Sequence, residues 1–455
     1  MPPDRFEVGV NVVLISTYEM GRQPFGLASP AAWLRRAGAE VTCQDLSIEK
    51  LADAAIAGAD IVAFYVPMHT ATRLAVEALA QVKTINPRCH ICFYGLYAPV
   101  NEDYLRAQGA GTILGGEFEQ GLVDLVGRLA RPVPGHQAEP VVSLARQRFI
   151  VPDRNDLPPL NDYAHLHAGP QDVRAVGYTE ATRGCKHLCR HCPIVPVYGG
   201  RFRVIDTDIV LADVAGQVAA GARHITFGDP DFFNAPGHAL RLVTSLHETF
   251  PNVTYDVTIK VEHLLHHERH LHTLEQTGCL FVTSAIESID DDILAIFDKN
   301  HTAEDFRRAV ALCDDIGLLL NPTFVAFTPW TTLEGYREML LAIAELGLVG
   351  NTAPIQYAIR LLIPAGSRLL ELPRVEAIAG RFDPVSLVHP WSHPDERVDR
   401  LQHDVLAAVE GSVASRSEVF GQVLALAESA LGISDGAPTV RQRVTVPYLT
   451  EPWYC

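Results

Sequence analysis

Short apolar runs alternate with helix-like stretches along most of this chain, and this alternation constrains its fold more than any other feature. A first series begins with VGVNVVLI at residues 8–15 and ends near residue 130. A second series runs from 175 to a predicted strand at 355–364. Apolar strands joined by helices form parallel β-α-β units. The sequence therefore predicts an α/β protein: a Rossmann-like doubly wound parallel sheet, a partial (β/α) barrel and a helical carboxyl-terminal region.

The chain has 455 residues, which is too long for one ordinary hydrophobic core. Residues between the two series are rich in proline, aspartate and histidine and show little periodicity, which predicts a linker that packs on the surface. The predicted divisions are the Rossmann domain at 1–135, the linker at 136–174, the barrel at 175–374 and the helical region with its tail at 375–455.

Charge and composition exclude some classes of function. The formal net charge is −17, which repels phosphate backbones and argues against a nucleic-acid substrate. No apolar run approaches the ~20 residues that span a bilayer. Nine cysteines, most of them in apolar surroundings, fit a reducing compartment better than a disulfide framework, so a cytoplasmic location is expected.

Three cysteines stand close together in TRGCKHLCRHCP, at positions Cys185, Cys189 and Cys192. The loop follows a predicted strand, where barrel enzymes place their chemistry. Thiolates suit zinc or an iron–sulfur cluster. Structural zinc needs a fourth ligand, and His191 is poorly placed because it adjoins Cys192. A four-iron cluster held by three cysteines would instead leave one iron open to a small molecule. Zinc, or three incidental cysteines, remain the alternatives.

This Cys-x3-Cys-x2-Cys loop, with TRG before it, resembles the signature of the radical S-adenosylmethionine (SAM) superfamily, and the similarity covers about residues 175–370. The resemblance implies a 4Fe-4S cluster whose open iron binds SAM, reductive cleavage of SAM to a 5′-deoxyadenosyl radical, and an electron donor such as flavodoxin or ferredoxin. The family often has an aromatic residue before the third cysteine, near adenine. Here His191 holds that position.

The same resemblance implies SAM contacts after later strands. The GDPD turn resembles the one that meets the SAM amino group, and SAIES the one that meets its ribose or carboxylate. Asp231 could instead cap a helix, Glu287 could belong to a solvated strand end, and Lys299, which resembles a family lysine, could be exposed. The predicted SAM contacts besides His191 are Gly228, Asp229, Asp231, Glu287 and Ser288.

A doubly wound sheet ahead of such a barrel resembles the cobalamin-binding class of the superfamily. The resemblance implies that loops at the ends of the front strands hold the corrin ring and its nucleotide tail. No Asp-x-His-x-x-Gly motif occurs, so no histidine below cobalt is expected from it. As an alternative to binding cobalamin, His69 could be an ordinary surface residue. The domain as a whole could be a Rossmann-like domain that has lost its cofactor. The predicted cobalamin contacts are Met68, His69, Gly95, Gly115, Gly116 and Glu117.

These resemblances imply cobalamin-dependent methyl transfer to an unactivated carbon of a small molecule or peptide. Rearrangement, cyclisation and methylthiolation are the alternatives within the superfamily, and a cluster-based or cobalamin-based sensor is the alternative outside enzymology. No catalytic residue beyond the cofactor contacts is assigned. The sequence predicts no membrane-spanning segment and argues against a nucleic-acid partner.

Two further stretches lead to expectations. The histidine-rich HLLHHERHLH at 263–272 is interpreted as the solvated face of one helix rather than a metal site. The tail LTEPWYC resembles the start of a Cys-Sec-Ala-Glu-Pro or Cys-Cys-Ala-Glu-Pro ending found in one subfamily of cobalamin-type radical SAM proteins. We therefore hypothesise that translation continues past Cys455 through a selenocysteine codon. The alternative is a true end that packs Trp453 on the barrel.

Overall fold

The structure is a computed structural model, and it describes residues 9–131, 135, 137–169, 171–412, 414–433 and 447–450. The tail positions Trp453 and Cys455 lie outside the described residues. Among those described, no helix combines the length and the apolarity required to cross a lipid bilayer.

The amino-terminal part is a six-stranded parallel sheet in the order β2-β1-β3-β4-β5-β6. The strand order reverses beside β1, which creates a switch point between the loops after β1 and β3. Its strands are β1 Asn11–Ser16, β2 Glu40–Asp45, β3 Ile61–Tyr65, β4 His90–Tyr94, β5 Thr112–Gly116 and β6 Val142–Ser143. Its helices are α1 Phe25–Ala37, α2 Asp53–Ala57, α3 His69–Ile85, α4 Tyr97–Val100, α5 Glu102–Ala107 and α6 Phe118–Ala130.

A second sheet has seven strands in the order β14-β13-β12-β11-β8-β7-β15. Strands β8 and β11 to β14 are parallel, whereas β7 at one edge pairs antiparallel with both β8 and β15. These strands are β7 His165–Gly169, β8 Asp172–Thr179, β11 His224–Phe227, β12 Thr254–Thr258, β13 Cys279–Glu287, β14 Leu319–Phe324 and β15 Tyr448–Leu449. A separate antiparallel pair consists of β9 Thr182–Gly184 and β10 Phe202–Val204.

Helices cover the outside of the second sheet and continue beyond it. Helices α16 and α17 pack into the same hydrophobic core as the strands, through residues such as Val405 and Phe420. The helices are α7 Val195–Tyr198, α8 Thr207–Ala219, α9 Pro236–Thr249, α10 Val261–His266, α11 Leu271–Gln276, α12 Asp291–Phe297, α13 Ala303–Ile316, α14 Leu333–Glu345, α15 Pro373–Glu376, α16 Glu396–Val409 and α17 Arg416–Leu431. The predicted fold class, a Rossmann-like sheet followed by a partial barrel and a helical region, is confirmed.

Two local predictions were wrong. The segment at 136–174 is not simply an irregular linker, because β6 extends the first sheet and β7 pairs with β8. The predicted strand at 355–364 is a short 3-10 helix, Pro354–Tyr357, followed by an isolated bridge. The side-chain oxygen of Gln356 accepts a hydrogen bond from the Phe324 N–H at 2.9 Å, so a side chain takes the place of a neighbouring strand. The domain boundaries themselves stay predictions.

Candidate active site

The cysteine loop leaves the barrel at Gly184, a position that only glycine can occupy. Gly184 ends β9 with a φ of 80°. A Cβ atom there would lie 2.4 Å from the ring of Tyr198 and 2.6 Å from the carbonyl oxygen of Arg201. Both the positive φ and the close packing exclude a side chain. The TRG stretch therefore fixes the direction in which the loop departs.

The three thiols of the loop are close enough to interact electrostatically. Cys189 is buried, and Cys185 and Cys192 are half-buried. Burial is the main cause that raises the pKa of Cys185 to about 11 and that of Cys192 to about 12, and the neighbouring thiols of the loop contribute to both values. Three soft donors in one loop, with no fourth cysteine in that loop, fit an iron–sulfur cluster with one open iron better than structural zinc.

Beside the thiols, β13 places a buried ion pair. Glu287 ends that strand with a φ of 69°, and its carboxylate lies 3.1 Å from His191 Nε2 and 3.3 Å from Lys299 Nζ. Burial alone would raise the pKa of Glu287, but Lys299 and then His191 lower it to about 2. The Lys299 ammonium also interacts electrostatically with Cys189 and Cys192. Sequence-predicted His191 and Glu287 are thus together, and Lys299 is buried rather than exposed.

The neighbouring contacts show what else these side chains touch. The hydroxyl of Ser288 accepts a hydrogen bond from the Asp290 N–H at 3.0 Å and shapes the turn after β13. The His191 ring packs against Phe297, with the ring centroids 4.4 Å apart. The SAM contacts of His191, Glu287 and Ser288 stay predictions.

The turn after β11 is tied to β9. Asp229 accepts hydrogen bonds from the Ala181 N–H at 2.8 Å and from the Thr182 hydroxyl at 2.6 Å. Burial raises the pKa of Asp229 to about 7. A Cβ at Gly228 would lie 1.9 Å from the hydroxyl of Tyr178, so the glycine permits close packing. Both predicted SAM residues therefore have a clear role in holding the turn.

Asp231 lies among imidazoles. One of its oxygens accepts a hydrogen bond from the Phe233 N–H at 3.1 Å, which is the cap that the alternative interpretation expected. Its other oxygen lies 3.0 Å from His187 Nε2 and 2.6 Å from His263 Nδ1. Its contact with SAM stays a prediction.

The interpretation of 263–272 as one solvated helix face was wrong. The chain breaks into α10 and α11 with a 3-10 turn between them, so the histidines do not share one helix. His263 is buried because α10 begins beside the turn after β11, the neighbouring parallel strand. Sequence reasoning missed His187 and His263. The adjacency of strands β11 and β12 could have revealed His263, because residues that follow neighbouring parallel strands lie at the same edge of a sheet.

The predicted cobalamin residues lie at the carboxyl edge of the first sheet. Met68 and His69 start α3 directly after β3, and His69 Nε2 lies 2.5 Å from the carbonyl oxygen of Ser386. Gly95 follows β4 with a φ of 111°, and a Cβ there would lie 3.0 Å from the carbonyl oxygen of Val66. This edge is where ligands of doubly wound sheets bind.

The glycines after β5 are packed against the chain itself. A Cβ at Gly115 would lie 2.5 Å from the ring of Pro99, and one at Gly116 would lie 2.2 Å from the Ser143 carbonyl oxygen. A cavity of about 790 Å³ borders Gly115 and Glu117 together with α1 and α6, and Met68, His69 and Gly95 do not line it. The cobalamin roles of these residues stay predictions.

A buried charge cluster joins the two sheets at the cysteine loop. Arg183 of β9 lies 2.9 Å from Glu119, 3.5 Å from Glu117 and 2.9 Å from Glu180. Burial raises the pKa of Glu117 to about 7. Because Arg183 stands two residues before Cys185, the first sheet and the loop are held in a fixed relation.

A cavity of about 410 Å³ runs through the interior of the second sheet. Its wall combines hydroxyl, amide and charged groups, and it reaches from the turn after β11 to β15. This volume and mixed lining are typical of small-molecule sites. Polar residues on the wall include Thr226, Asp256, Thr283, Asn321, Gln356 and Arg416.

Comparison with known families matches residues 179–340 to the Radical SAM superfamily. The chain carries a radical SAM domain. The match includes the cysteine loop, the turn after β11 and the Glu287–Lys299 pair. This match supports the prediction that the chain is an enzyme.

Two curated relatives are similar over much of the chain. A hopanoid C-3 methylase from Methylococcus capsulatus is 23% identical over 357 residues, which cover 73% of this chain and 67% of the methylase. A tRNA-2-methylthio-N(6)-dimethylallyladenosine synthase from Bacteroides thetaiotaomicron is 25% identical over 283 residues. This second match covers 54% of this chain and only 56% of the synthase.

Solved structures share the fold of both sheets. The cobalamin-dependent SAM radical enzyme OxsB, with aqua-cobalamin and SAM bound, has a TM-score of 0.69 at 13% identity and matches 93% of this chain and 72% of its own. The radical SAM methyltransferase TsrM from Kitasatospora setae, with cobalamin and a 4Fe-4S cluster bound, has a TM-score of 0.56 at 15% identity. That match covers 93% of this chain and all of TsrM. At these identities the likeness concerns the fold.

Proposed function

We propose that Cys185, Cys189 and Cys192 hold a 4Fe-4S cluster whose open iron binds SAM. The observation that carries this proposal is the loop of three neighbouring cysteines, one buried and two half-buried, inside the matched domain. When bound, such a cluster would supply the electron for reductive cleavage of SAM to methionine and a 5′-deoxyadenosyl radical, which would take hydrogen from an unreactive carbon.

The chain's own residues position and shield this chemistry. The Lys299 ammonium interacts electrostatically with Cys189 and Cys192 and would offset the negative charge of their cluster-bound thiolates, while Glu287 keeps it in place. Asp229 holds the turn after β11 against β9, which fixes the position of the chain that leads into the cysteine loop. The interior cavity behind the loop gives a substrate a sheltered place away from bulk water.

We further propose that the reaction is cobalamin-dependent methyl transfer to an unactivated carbon of a small molecule or peptide. Cobalamin bound at the carboxyl edge of the first sheet, near Met68 and His69, would supply the methyl group. The similarity to a methylase over 73% of the chain and the shared fold with cobalamin-binding methyltransferases support this. A flavodoxin or ferredoxin is the proposed electron donor.

Methylthiolation is the second candidate, since a tRNA methylthiolating enzyme matches about half of the chain. The net charge of −17 disfavours a tRNA substrate, because an acidic surface repels a phosphate backbone. Methyl transfer therefore accounts better for the chain as a whole.

The test is anaerobic. The protein is reconstituted with iron and sulfide, given hydroxocobalamin, dithionite and SAM, and assayed for 5′-deoxyadenosine and for corrin retained after desalting. We expect both. A Cys189→Ala variant should yield neither iron nor deoxyadenosine, while the buried control Cys313→Ala should keep both. Equal deoxyadenosine from Cys189→Ala would contradict the cluster assignment, and loss of all corrin on desalting would contradict the methyl-transfer assignment.

A further inference from the structure

Three side chains beside the cysteine loop converge on one point. His187 comes from the loop, Asp231 from the turn after β11 and His263 from α10. Their ligand atoms all lie within 4.8 Å of one another. One oxygen of Asp231 lies 3.0 Å from His187 Nε2 and 2.6 Å from His263 Nδ1. The three segments thus meet through groups that commonly bind metals.

The contact between His263 and Asp231 is a short ion pair whose geometry is poor for a hydrogen bond. His263 Nδ1 is buried and lacks a hydrogen-bond partner, although the carboxylate oxygen is 2.6 Å away. The two side chains are only 3% and 2% exposed, so water does not satisfy them. A buried polar atom without a partner is costly and rare in folded proteins. A shared cation would satisfy the nitrogen and the carboxylate together.

We propose that His187, Asp231 and His263 bind a divalent transition-metal ion of the zinc type beside the cysteine loop, so that Asp231 binds this ion instead of SAM. Two imidazoles and one carboxylate are ligands that suit zinc and its neighbours in the first row. Magnesium and calcium prefer sites made of oxygen alone. The ion would tie the cysteine loop to α10 and to the turn after β11.

Charged groups surround the three side chains. His187 Nδ1, the nitrogen away from Asp231, accepts a hydrogen bond from the Lys260 ammonium at 3.3 Å, and a Glu262 carboxylate oxygen lies 3.7 Å from it. The same ammonium is paired with Glu262 at 3.1 Å. The centroid of the His267 ring lies 5.4 Å from that of the His263 ring.

The experiment counts zinc and iron in the same sample of full-length, cluster-loaded protein after zinc exposure and desalting. We expect about one zinc per chain in the wild type. His263→Gln should reduce zinc to background and leave iron unchanged. The matched control His266→Gln changes an exposed histidine three residues further along the same helix and should retain zinc.

A second measurement covers the case in which His263→Gln folds poorly. Zinc should raise the unfolding temperature of the wild type and of His266→Gln, but not that of Asp231→Asn, which keeps the size of the side chain. Wild-type protein without zinc, or His263→Gln with as much zinc as His266→Gln, would overturn the proposal. Iron in the same samples reports separately on the cluster, so the two proposals fail distinguishably.

Discussion

At the scale of single residues, Gly184 shows how tightly the loop entrance is specified. Its φ of 80° is open to glycine, and Tyr198 and Arg201 fill the space where a Cβ would project. Backbone atoms cannot move aside as a flexible side chain can. Packing around Gly184 therefore sets the direction of the loop that carries the cysteines.

Gly184→Ala should lower the free energy of unfolding by about 2–4 kcal/mol, because backbone strain and overpacking add. Bound iron should fall with it. Gly199→Ala is the control, since Gly199 also has a positive φ, 53°, but open space around its Cβ position. Chemical unfolding of both variants gives the comparison, and an equal loss in the two would show that packing at Gly184 is unimportant.

The Glu287–Lys299 pair is the other residue-scale feature with a measurable consequence. Both side chains are largely buried, at 11% and 4% exposed. Glu287→Gln leaves the Lys299 charge without its partner, so unfolding free energy should fall by about 3–5 kcal/mol. Adding Lys299→Met should restore part of this loss, because no uncompensated charge then remains. Urea unfolding of the two single variants and the double variant measures the coupling, and strict additivity would refute it.

At the scale of elements, β14 ends the parallel series because a side chain replaces its next neighbour. Gln356, from a 3-10 helix, accepts the Phe324 N–H that a further strand would have bound. IQYAIRLLIP has a strand-like composition, and only the tertiary position of Gln356 shows that it is not a strand. The β-strand propensity of this segment is overridden here by a specific tertiary hydrogen bond.

Gln356→Leu should therefore destabilise the protein by about 1–3 kcal/mol, since a buried N–H loses its acceptor. Gln276→Leu, at an exposed position of α11, should change unfolding free energy by less than about 0.5 kcal/mol. Thermal unfolding of the two variants provides the test. A Gln356→Leu variant as stable as Gln276→Leu would mean that the bond does not end the sheet.

Much of the element pattern was readable in advance, and the exceptions have physical causes. Alternating apolar runs predicted the strands of both sheets, and cysteine spacing predicted the loop. The spacing said nothing of His263, because its burial depends on where α10 begins relative to β11. Met68 and His69 were expected in a loop after a front strand and do follow β3, whereas the contacts of Gly116 with Ser143 required the unpredicted strand β6.

At the scale of the whole molecule, Arg183 couples the two sheets. Its side chain is 8% exposed and contacts carboxylates of both the front sheet and β8–β9. Arg183→Met leaves those carboxylates buried without a cation, which should cost about 3–5 kcal/mol and reduce bound iron. The control Arg223→Met removes an arginine that is 61% exposed and should cost less than about 1 kcal/mol. Similar losses in both variants, by urea unfolding with iron analysis, would show that the buried cluster does not join the sheets.

The most direct test of the central claim is electron paramagnetic resonance of the reduced, reconstituted protein with and without SAM. The account predicts a 4Fe-4S signal that SAM shifts, because SAM binds the iron that the three cysteines leave open. The signal should be absent in Cys185→Ala. A cluster signal that SAM leaves unchanged, together with no deoxyadenosine, would contradict the account.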